Sequence, residues 1–214
     1  MIRLYGGAES GNTWKLRILL GQLGIDYELV PVDLLSWEHK SRAFMTEFNP
    51  RGQVPVLEDA GRRIWDSGAA LVYIARKSGR EDWLPTTAGD MAEVMQWVLL
   101  GASEIQFGLQ YARRGVMRDR WIAGDLGELQ AIGKLALGAL EWRLRGHDWL
   151  ALERITIADI ACYPYVFHSH EAKLPLDGYP GIRAWLERCQ ARPDWAPAPE
   201  APTRDYRDMP QGDG

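Results

Sequence analysis

The chain has 214 residues, of which 46% are hydrophobic and 25% are charged. This composition is typical of a soluble globular protein and excludes collagen, a coiled coil and wholesale disorder. The length fits one large domain or two small ones. A net charge of −4 disfavours nucleic acid as the main partner. Ten tryptophans stand beside four phenylalanines, which hints at an aromatic binding surface because indoles often lie at the edges of clefts.

Targeting and metal signals are missing from the sequence. No run reaches the roughly eighteen apolar residues of a membrane span, and the first residues lack a signal-peptide pattern, so no membrane partner is expected. Cys162 and Cys189 are too few for a disulfide framework. His168 and His170 are two residues apart and would not face each other on a helix, so we expect no metal. The sequence predicts a cytoplasmic protein with reduced thiols.

Residues 1–80 alternate short strands with short helices in the order β-α-β-α-β-β-α, an α+β pattern. The strands are predicted at 2–4, 27–32, 54–57 and 63–65, and the helices at 13–23, 41–48 and 67–77. A helix crossover joins the first two strands, which should be parallel, whereas the last two form a hairpin. Pro31 indicates an edge strand, Gly24 ends the first helix, and Ser67 is predicted to cap the last.

The second half shows no strand signal. Residues 81–88 are predicted to be a linker, and 89–195 an all-helical domain. Its predicted helices cover 89–115, 121–145, 157–170 and 180–191. Residues 196–214 are rich in proline and are predicted to be a flexible tail.

A first motif surrounds Pro55, where a strand begins. If the Val54–Pro55 bond is cis, the backbone N–H and C=O of Val54 could pair with a peptide-like ligand. The alternative is a rigid strand entry without a binding role.

A second motif places Asp66 and Ser67 at a helix N-terminus. The free N–H groups there favour a carboxylate, and Asp66 could hold an adjacent ammonium, which together suit an α-amino acid end. Plain helix capping is the alternative.

A third motif is the loop from the first strand into the first helix. Ser10 or Asn12 would lie near that helix N-terminus, where donors stabilise a thiolate and lower its pKa. Here too the alternative is an N-cap.

A fourth motif, Thr156–Asp159, is a capping box. Together with Ser10–Lys15, Asn49–Leu57 and Asp66–Ala70, in this order and spacing, it resembles the cytosolic glutathione transferase family. The resemblance implies a thioredoxin-like N-terminal domain followed by an all-α domain. The first loop is most similar to bacterial theta-like and nu-like members.

The resemblance implies a glutathione site. Val54, cis to Pro55, would pair with the cysteinyl unit of glutathione. Asp66 and Ser67 would bind its γ-glutamyl end, although most members carry a longer glutamate in place of Asp66.

The glycine carboxylate of glutathione would meet Lys40 and Gln53. His39 and Arg51 are the reserve positions for the same role.

The implied reaction is attack of glutathione thiolate on a small apolar electrophile, as in detoxification. Ser10 would donate to the thiolate, with Asn12 as helper or substitute, while Tyr5 is the alternative that we expect to pack in the sheet. The substrate pocket would be lined by four residues and the region near Trp121. The four are Trp14, Phe107, Tyr111 and Arg114.

The family is usually homodimeric, and we expect the same here. Alternatives stay open: a glutathione-dependent peroxidase, ether-cleaving enzyme or disulfide reductase, or a non-catalytic binding module. The first loop contains no cysteine, which argues against a mechanism that needs a protein thiol.

Overall fold

A computed structural model describes residues 1–118 and 124–199. It divides into two compact units: the first comprises residues 1–74 together with the stretch from Ala196, and the second Ala75–Trp195. The predicted helix start at 121 and the tail beyond residue 199 lie outside the described residues. Within the described residues, no helix is both long and apolar enough to cross a bilayer.

The first unit contains a four-stranded mixed sheet in the order β2-β1-β3-β4. The strands are β1 (Ile2–Gly6), β2 (Tyr27–Pro31), β3 (Val56–Asp59) and β4 (Arg62–Trp65). The pairing of β1 with β2 is parallel, and β3 pairs antiparallel with both β1 and β4, which confirms the predicted directions. Pro31 ends the edge strand β2, where its missing N–H costs no ladder bond.

The β3–β4 hairpin turns through two residues. Asp59 pairs with Arg62, and Ala60 and Gly61 both have positive φ, 49° and 78°. Two such residues form the turn whose twist matches the strands that it joins. The structure therefore confirms the predicted hairpin, and Asp59 is the last residue of β3.

Three helices complete the first unit: α1 (Gly11–Gln22), α2 (Arg42–Glu47) and α3 (Ser67–Lys77), the last running into the second unit. A short 3₁₀ turn, Glu38–Lys40, precedes α2. Leu16, Leu19 and Leu20 of α1 are fully buried. The hydroxyl of Tyr73 in α3 donates to Oδ2 of the buried Asp59 at 2.8 Å, which ties α3 to the end of β3.

The cap of α3 differs from the prediction. Oδ1 of Asp66 accepts hydrogen bonds from the N–H groups of Gly68 and Ala69, so Asp66 is the capping side chain. Ser67 is the first helical residue instead. A carboxylate one residue earlier reaches the free N–H groups of the first turn better than the Ser67 hydroxyl.

In its described residues, the second unit is built from helices without strands, as predicted. Its helices are α4 (Ala88–Ala102), a π-helical turn at Gln106–Gln110, α5 (Tyr111–Arg118), α6 (Leu126–Leu144), α7 (Ile157–Phe167), a 3₁₀ turn at Ser169–Ala172 and α8 (Pro180–Gln190). Every residue of α7 from Ile157 to Val166 is buried. It packs along α4, where Gly101 lies so close to Ala161 that a Cβ would meet its carbonyl at 2.9 Å.

The helix predicted over 89–115 is interrupted. Ser103 ends α4, and its Oγ donates to the Leu99 carbonyl at 2.7 Å, a back-bond that often bends helices. In the π-helical turn, a Cβ on Gly108 would meet Gly133 of α6 at 2.2 Å. The two backbones thus approach through glycines, in the segment that follows the end of α4.

The predicted capping box at the start of α7 is present. Oγ1 of Thr156 accepts from the Ala158 N–H at 3.2 Å, and Oδ2 of Asp159 accepts from the Thr156 N–H at 2.9 Å. Oδ1 of Asp159 also accepts from the Leu150 N–H and from the Trp185 indole. Complete burial raises the pKa of Asp159 to about 6, although these three N–H donors act in the opposite direction.

We expect Asp159→Asn to lower the free energy of unfolding by about 1–3 kcal/mol at pH 5, because the amide turns a donor towards the Thr156 N–H. The wild-type advantage should shrink as pH rises through 6. Because the pKa of Asp159 is raised from 3.8 to about 6 on folding, protonation of this group stabilises the folded state. This contribution is fully present below pH 3.8 and is lost as the pH rises above about 6. Urea denaturation of both proteins at a series of pH values measures this. Asp148→Asn is the control, since its side chain is 73% exposed; parallel curves for wild type and Asp159→Asn would contradict the assignment.

Candidate functional site

Ser10 caps α1. Its Oγ accepts a hydrogen bond from the Thr13 N–H at 3.2 Å, and its carbonyl accepts from the Trp14 N–H. A hydroxyl that accepts one bond still has its own proton to donate. Capping and donation to a ligand sulfur are therefore compatible at Ser10, at the positive end of the α1 dipole.

Tyr5, the alternative to Ser10, belongs to the core of the first unit. It is 7% exposed and packs with Val32, Phe44 and Val56. Its hydroxyl accepts from the Arg3 guanidinium at 2.9 Å. These contacts agree with the expectation that Tyr5 serves the sheet.

The loop 49–55 is organised by Asn49, whose side chain is almost completely buried. Its Nδ2 donates to the Gln53 carbonyl at 2.8 Å, and its Oδ1 accepts from the Arg51 N–H at 3.0 Å. The Val54–Pro55 bond at the end of this loop is cis. Among the described residues, no turn, loop or side-chain hydrogen bond uses the backbone of Val54. The loop thus presents Val54 with both of its polar backbone groups available to a ligand.

The first turn of α3 approaches the first turn of α1. Oγ of Ser67 donates to Oδ1 of Asn12 at 3.3 Å, although 55 residues separate the two. Ser67 is 8% exposed. Two residues predicted for different parts of one site are therefore in direct contact.

Arg51 and Lys40 extend this contact into a chain. Nη1 of Arg51 lies 3.8 Å from Oδ2 of Asp66, and Nζ of Lys40 donates to the Arg51 carbonyl at 3.3 Å. The Arg51 and Asp66 side chains are 46% and 38% exposed, so the ion pair contributes little to stability. Its effect is local: it places a cation beside the acid proposed to bind an ammonium.

The predicted pocket residues fall into two places. Trp14 belongs to the first unit, is 1% exposed, and donates from Nε1 to the Ala196 carbonyl at 2.8 Å. Phe107, Tyr111 and Arg114 follow one another on one face of the second unit. The Phe107 and Tyr111 rings meet edge to face at 5.2 Å, and the Arg114 guanidinium lies 6.0 Å from the Tyr111 ring centre. Trp121 lies outside the described residues.

A half-buried ion pair fixes the helix that carries Tyr111 and Arg114. Nε of Arg113 in α5 donates to Oε2 of Glu171, whose Oε1 lies 2.9 Å from Nδ1 of His168. Burial raises the pKa of Glu171, but the His168 hydrogen bond and the Arg113 charge outweigh it and hold the pKa at about 2. Glu171 therefore stays ionised and anchors α5.

Asn49 and Arg51 carry more of the site than the sequence indicated. Arg51 was a reserve position, and Asn49 entered only as the first residue of the Asn49–Leu57 motif. The combination of asparagine, proline and a glycine three positions after the asparagine is a turn signal that could have identified Asn49. Within the described residues, no cluster of three or more histidine, cysteine or acidic side chains could hold a metal ion.

Comparison with known proteins identifies the family. The glutathione S-transferase N-terminal domain matches residues 1–76, and the C-terminal domain of the same family matches 128–193. Glutathione S-transferase 3 of Zea mays is 31% identical over 211 residues, covering 90% of each chain. The disulfide-bond oxidoreductase YfcG of Escherichia coli is 29% identical over 205 residues, covering 90% of this chain and 92% of that protein.

A crystal structure of a glutathione S-transferase from Pseudomonas fluorescens superimposes with a TM-score of 0.85. It is 32% identical, and the match covers 93% of this chain and 99% of that one. The chain therefore belongs to the glutathione S-transferase family. These matches do not distinguish the classes of the family, so the theta-like or nu-like assignment stays a prediction.

We expect Asn49→Ala to lower the free energy of unfolding by about 1–3 kcal/mol, because it leaves the Gln53 carbonyl and the Arg51 N–H without their partner. Thermal and urea denaturation measure the loss. Gln53→Ala is the matched control: it keeps the carbonyl that Asn49 binds, and it should change stability by less than about 0.5 kcal/mol. Equal losses in the two variants would show that Asn49 does not organise the loop.

Proposed function

We propose that this protein is a glutathione transferase that activates glutathione as a thiolate for attack on a small apolar electrophile. We call Ser10–Asn12 the thiol loop, and Asp66 with Ser67 the amino-acid clamp. The observation that carries the proposal is the contact between them, in which Oγ of Ser67 donates to Oδ1 of Asn12 at 3.3 Å. This contact brings together one helix end that can stabilise a thiolate and another that can bind a carboxylate. Glutathione carries both a thiol and an α-carboxylate.

In the proposed reaction, Ser10 donates its hydroxyl proton in a hydrogen bond to the glutathione sulfur, with Asn12 as helper. The glutathione thiol loses its proton to solvent, and the thiolate that Ser10 stabilises keeps the electron pair. Its sulfur forms a bond to the electrophilic carbon, and the leaving group departs with the electrons of the broken bond. The enzyme lowers the thiol pKa and holds the sulfur in place.

The remaining glutathione contacts follow from the same arrangement. Val54 pairs through its backbone with the cysteinyl unit, and Asp66 and Ser67 receive the γ-glutamyl end. Lys40 and Gln53 receive the glycine carboxylate. Lys40 supports this assignment because its ammonium already lies against the loop that carries Gln53.

Phe107, Tyr111 and Arg114 of the second unit are proposed to bind the electrophile, and Trp14 of the first unit is the fourth candidate for this role. Phe107 is 44% exposed, and its ring with that of Tyr111 offers an apolar, aromatic surface. This composition suits a hydrophobic electrophile.

Disulfide reduction is a second candidate because the relative YfcG is named a disulfide-bond oxidoreductase. Cys162 and Cys189 are both buried, and burial raises the pKa of Cys189. Neither is a suitable nucleophile. A reductase on this chain would use two glutathione molecules, which are oxidised to their disulfide while the substrate disulfide is reduced to two thiols.

A cytoplasmic role in detoxification fits this chemistry, because glutathione is the thiol that buffers the cytosol. A homodimer is proposed from exposed apolar side chains in the second unit. On α6, Ala131, Leu135, Gly138 and Trp142 form one exposed stripe, with Leu135 72% and Trp142 78% exposed. Leu99 on α4 is 61% exposed. A second copy of the chain would cover these surfaces.

Retention on a glutathione resin followed by conjugation assays tests the function. We expect wild type to bind and turn over an aromatic electrophile, and Ser10→Ala to reduce kcat/KM by about 10²-fold or more through loss of one thiolate donor. Asn12→Ala is the matched comparison and should have the smaller effect. Full turnover by Ser10→Ala with none by Asn12→Ala would make Asn12 the main thiolate donor and Ser10 the helper. Failure of the wild type to bind glutathione would exclude the proposed glutathione transferase function.

Trp142→Lys should weaken the proposed dimer and raise its dissociation constant by about tenfold or more, because a large apolar side chain is replaced by a charge. Light scattering across a concentration series measures this. Leu29→Lys, at an exposed position of edge strand β2, is the control and should leave the dimer intact. A wild type that is monomeric throughout the series would contradict the assembly.

A further inference from the structure

The Ser67–Asn12 hydrogen bond has a direction. Ser67 is the donor and Oδ1 of Asn12 the acceptor. We infer that Ser67, beyond any contact with the γ-glutamyl end, is a positioning residue: its hydroxyl fixes the Asn12 amide so that the NH₂ end is the one offered to the glutathione sulfur. The inference rests on the proposed function, since it assumes that glutathione occupies this site.

The orientation of the Asn12 amide decides whether this side chain stabilises or repels the glutathione thiolate. An asparagine side chain has one end that only accepts hydrogen bonds and one that only donates. An anionic sulfur is stabilised by a donor and repelled by a carbonyl oxygen. Because Ser67 holds the oxygen of Asn12, the NH₂ group is the end left for the thiolate.

Ser10 and Asn12 differ in what holds them. The Ser10 hydroxyl accepts from the N–H of Thr13 in its own helix, and the Ser10 N–H donates to the Gly7 carbonyl of the preceding loop, so both contacts are local in sequence. The described partner of Asn12 lies on α3. Ser67 is almost buried, and water therefore competes weakly for its proton. The orientation of Asn12 thus depends on the first turn of a different helix.

Ser67 has a single hydroxyl proton, which cannot be donated to Asn12 and to a ligand carboxylate at the same time. If that proton goes to Asn12, the ligand carboxylate must be met by a backbone N–H. Asp66 already takes the N–H groups of Gly68 and Ala69. Among the described loop and side-chain hydrogen bonds, none uses the N–H of Ser67. The backbone of Ser67 therefore suits the carboxylate, while its side chain serves Asn12.

The experiment measures the pKa of the bound glutathione thiol from its thiolate absorbance across a pH series, together with glutathione affinity by calorimetry. Ser67→Ala should raise that pKa by about 0.5–1 unit, the size expected for one weakened hydrogen bond. Ser67→Thr keeps a hydroxyl and should restore it. In an Asn12→Ala background, Ser67→Ala should add no further rise.

Asp66→Asn is the matched control within the same clamp. Its amide oxygen can still cap α3, so the fold is kept, but the lost charge should weaken glutathione binding by about tenfold. It should not raise the thiol pKa, because Asp66 has no bond to Asn12.

Three results would overturn the inference: Ser67→Ala with reduced affinity and the wild-type thiol pKa, an additional rise in the Asn12→Ala background, or a thiol pKa unmoved by Asn12→Ala itself. Failure of the proposed function is distinct, because wild type would then not bind glutathione at all.

Discussion

One buried carboxylate connects the helices of the second unit. Asp159 accepts N–H donors from the segment after α6, from the start of α7 and from the Trp185 indole on α8. The side chain cannot be replaced by an apolar one without leaving these groups unpaired, and an uncompensated buried donor costs more than the bond itself contributes. The arrangement of α6, α7 and α8 therefore depends on a residue at which no ligand is proposed to bind.

The first unit has a related constraint at its surface. The N-termini of α1 and α3 converge, and the Ser67–Asn12 bond joins their first turns. Both ends carry partial positive charge from the peptide dipoles. Two such ends close together suit a ligand with two separated anionic groups, and the thiolate and α-carboxylate of glutathione meet that requirement. Arg51 adds a full cation at the same place, where it is paired with the carboxylate of Asp66.

The sequence predicted the order of elements along the chain, the hairpin and the capping box because each depends on neighbouring residues. Contacts between segments that are distant in sequence were harder to predict. The Asn49 side chain bonds to backbone groups of Gln53 and Arg51, which any residue type other than proline would supply in the same way. Asn12 and Ser67 were placed in one site only by resemblance to a family. The bend after Ser103 was missed because the apolar periodicity continues across it, whereas the close approach of Gly108 to Gly133 belongs to tertiary packing.

The hydrogen bond from Trp14 to Ala196 makes the first unit discontinuous in sequence. The chain leaves that unit after Ile74, builds the helical unit, and returns at Ala196. A fragment cut at the apparent domain boundary would lack the acceptor for an indole at the base of the thiol loop. During synthesis the Trp14 indole therefore gains this acceptor only after the helical unit has been made, although the strands of the first unit precede that unit in the chain.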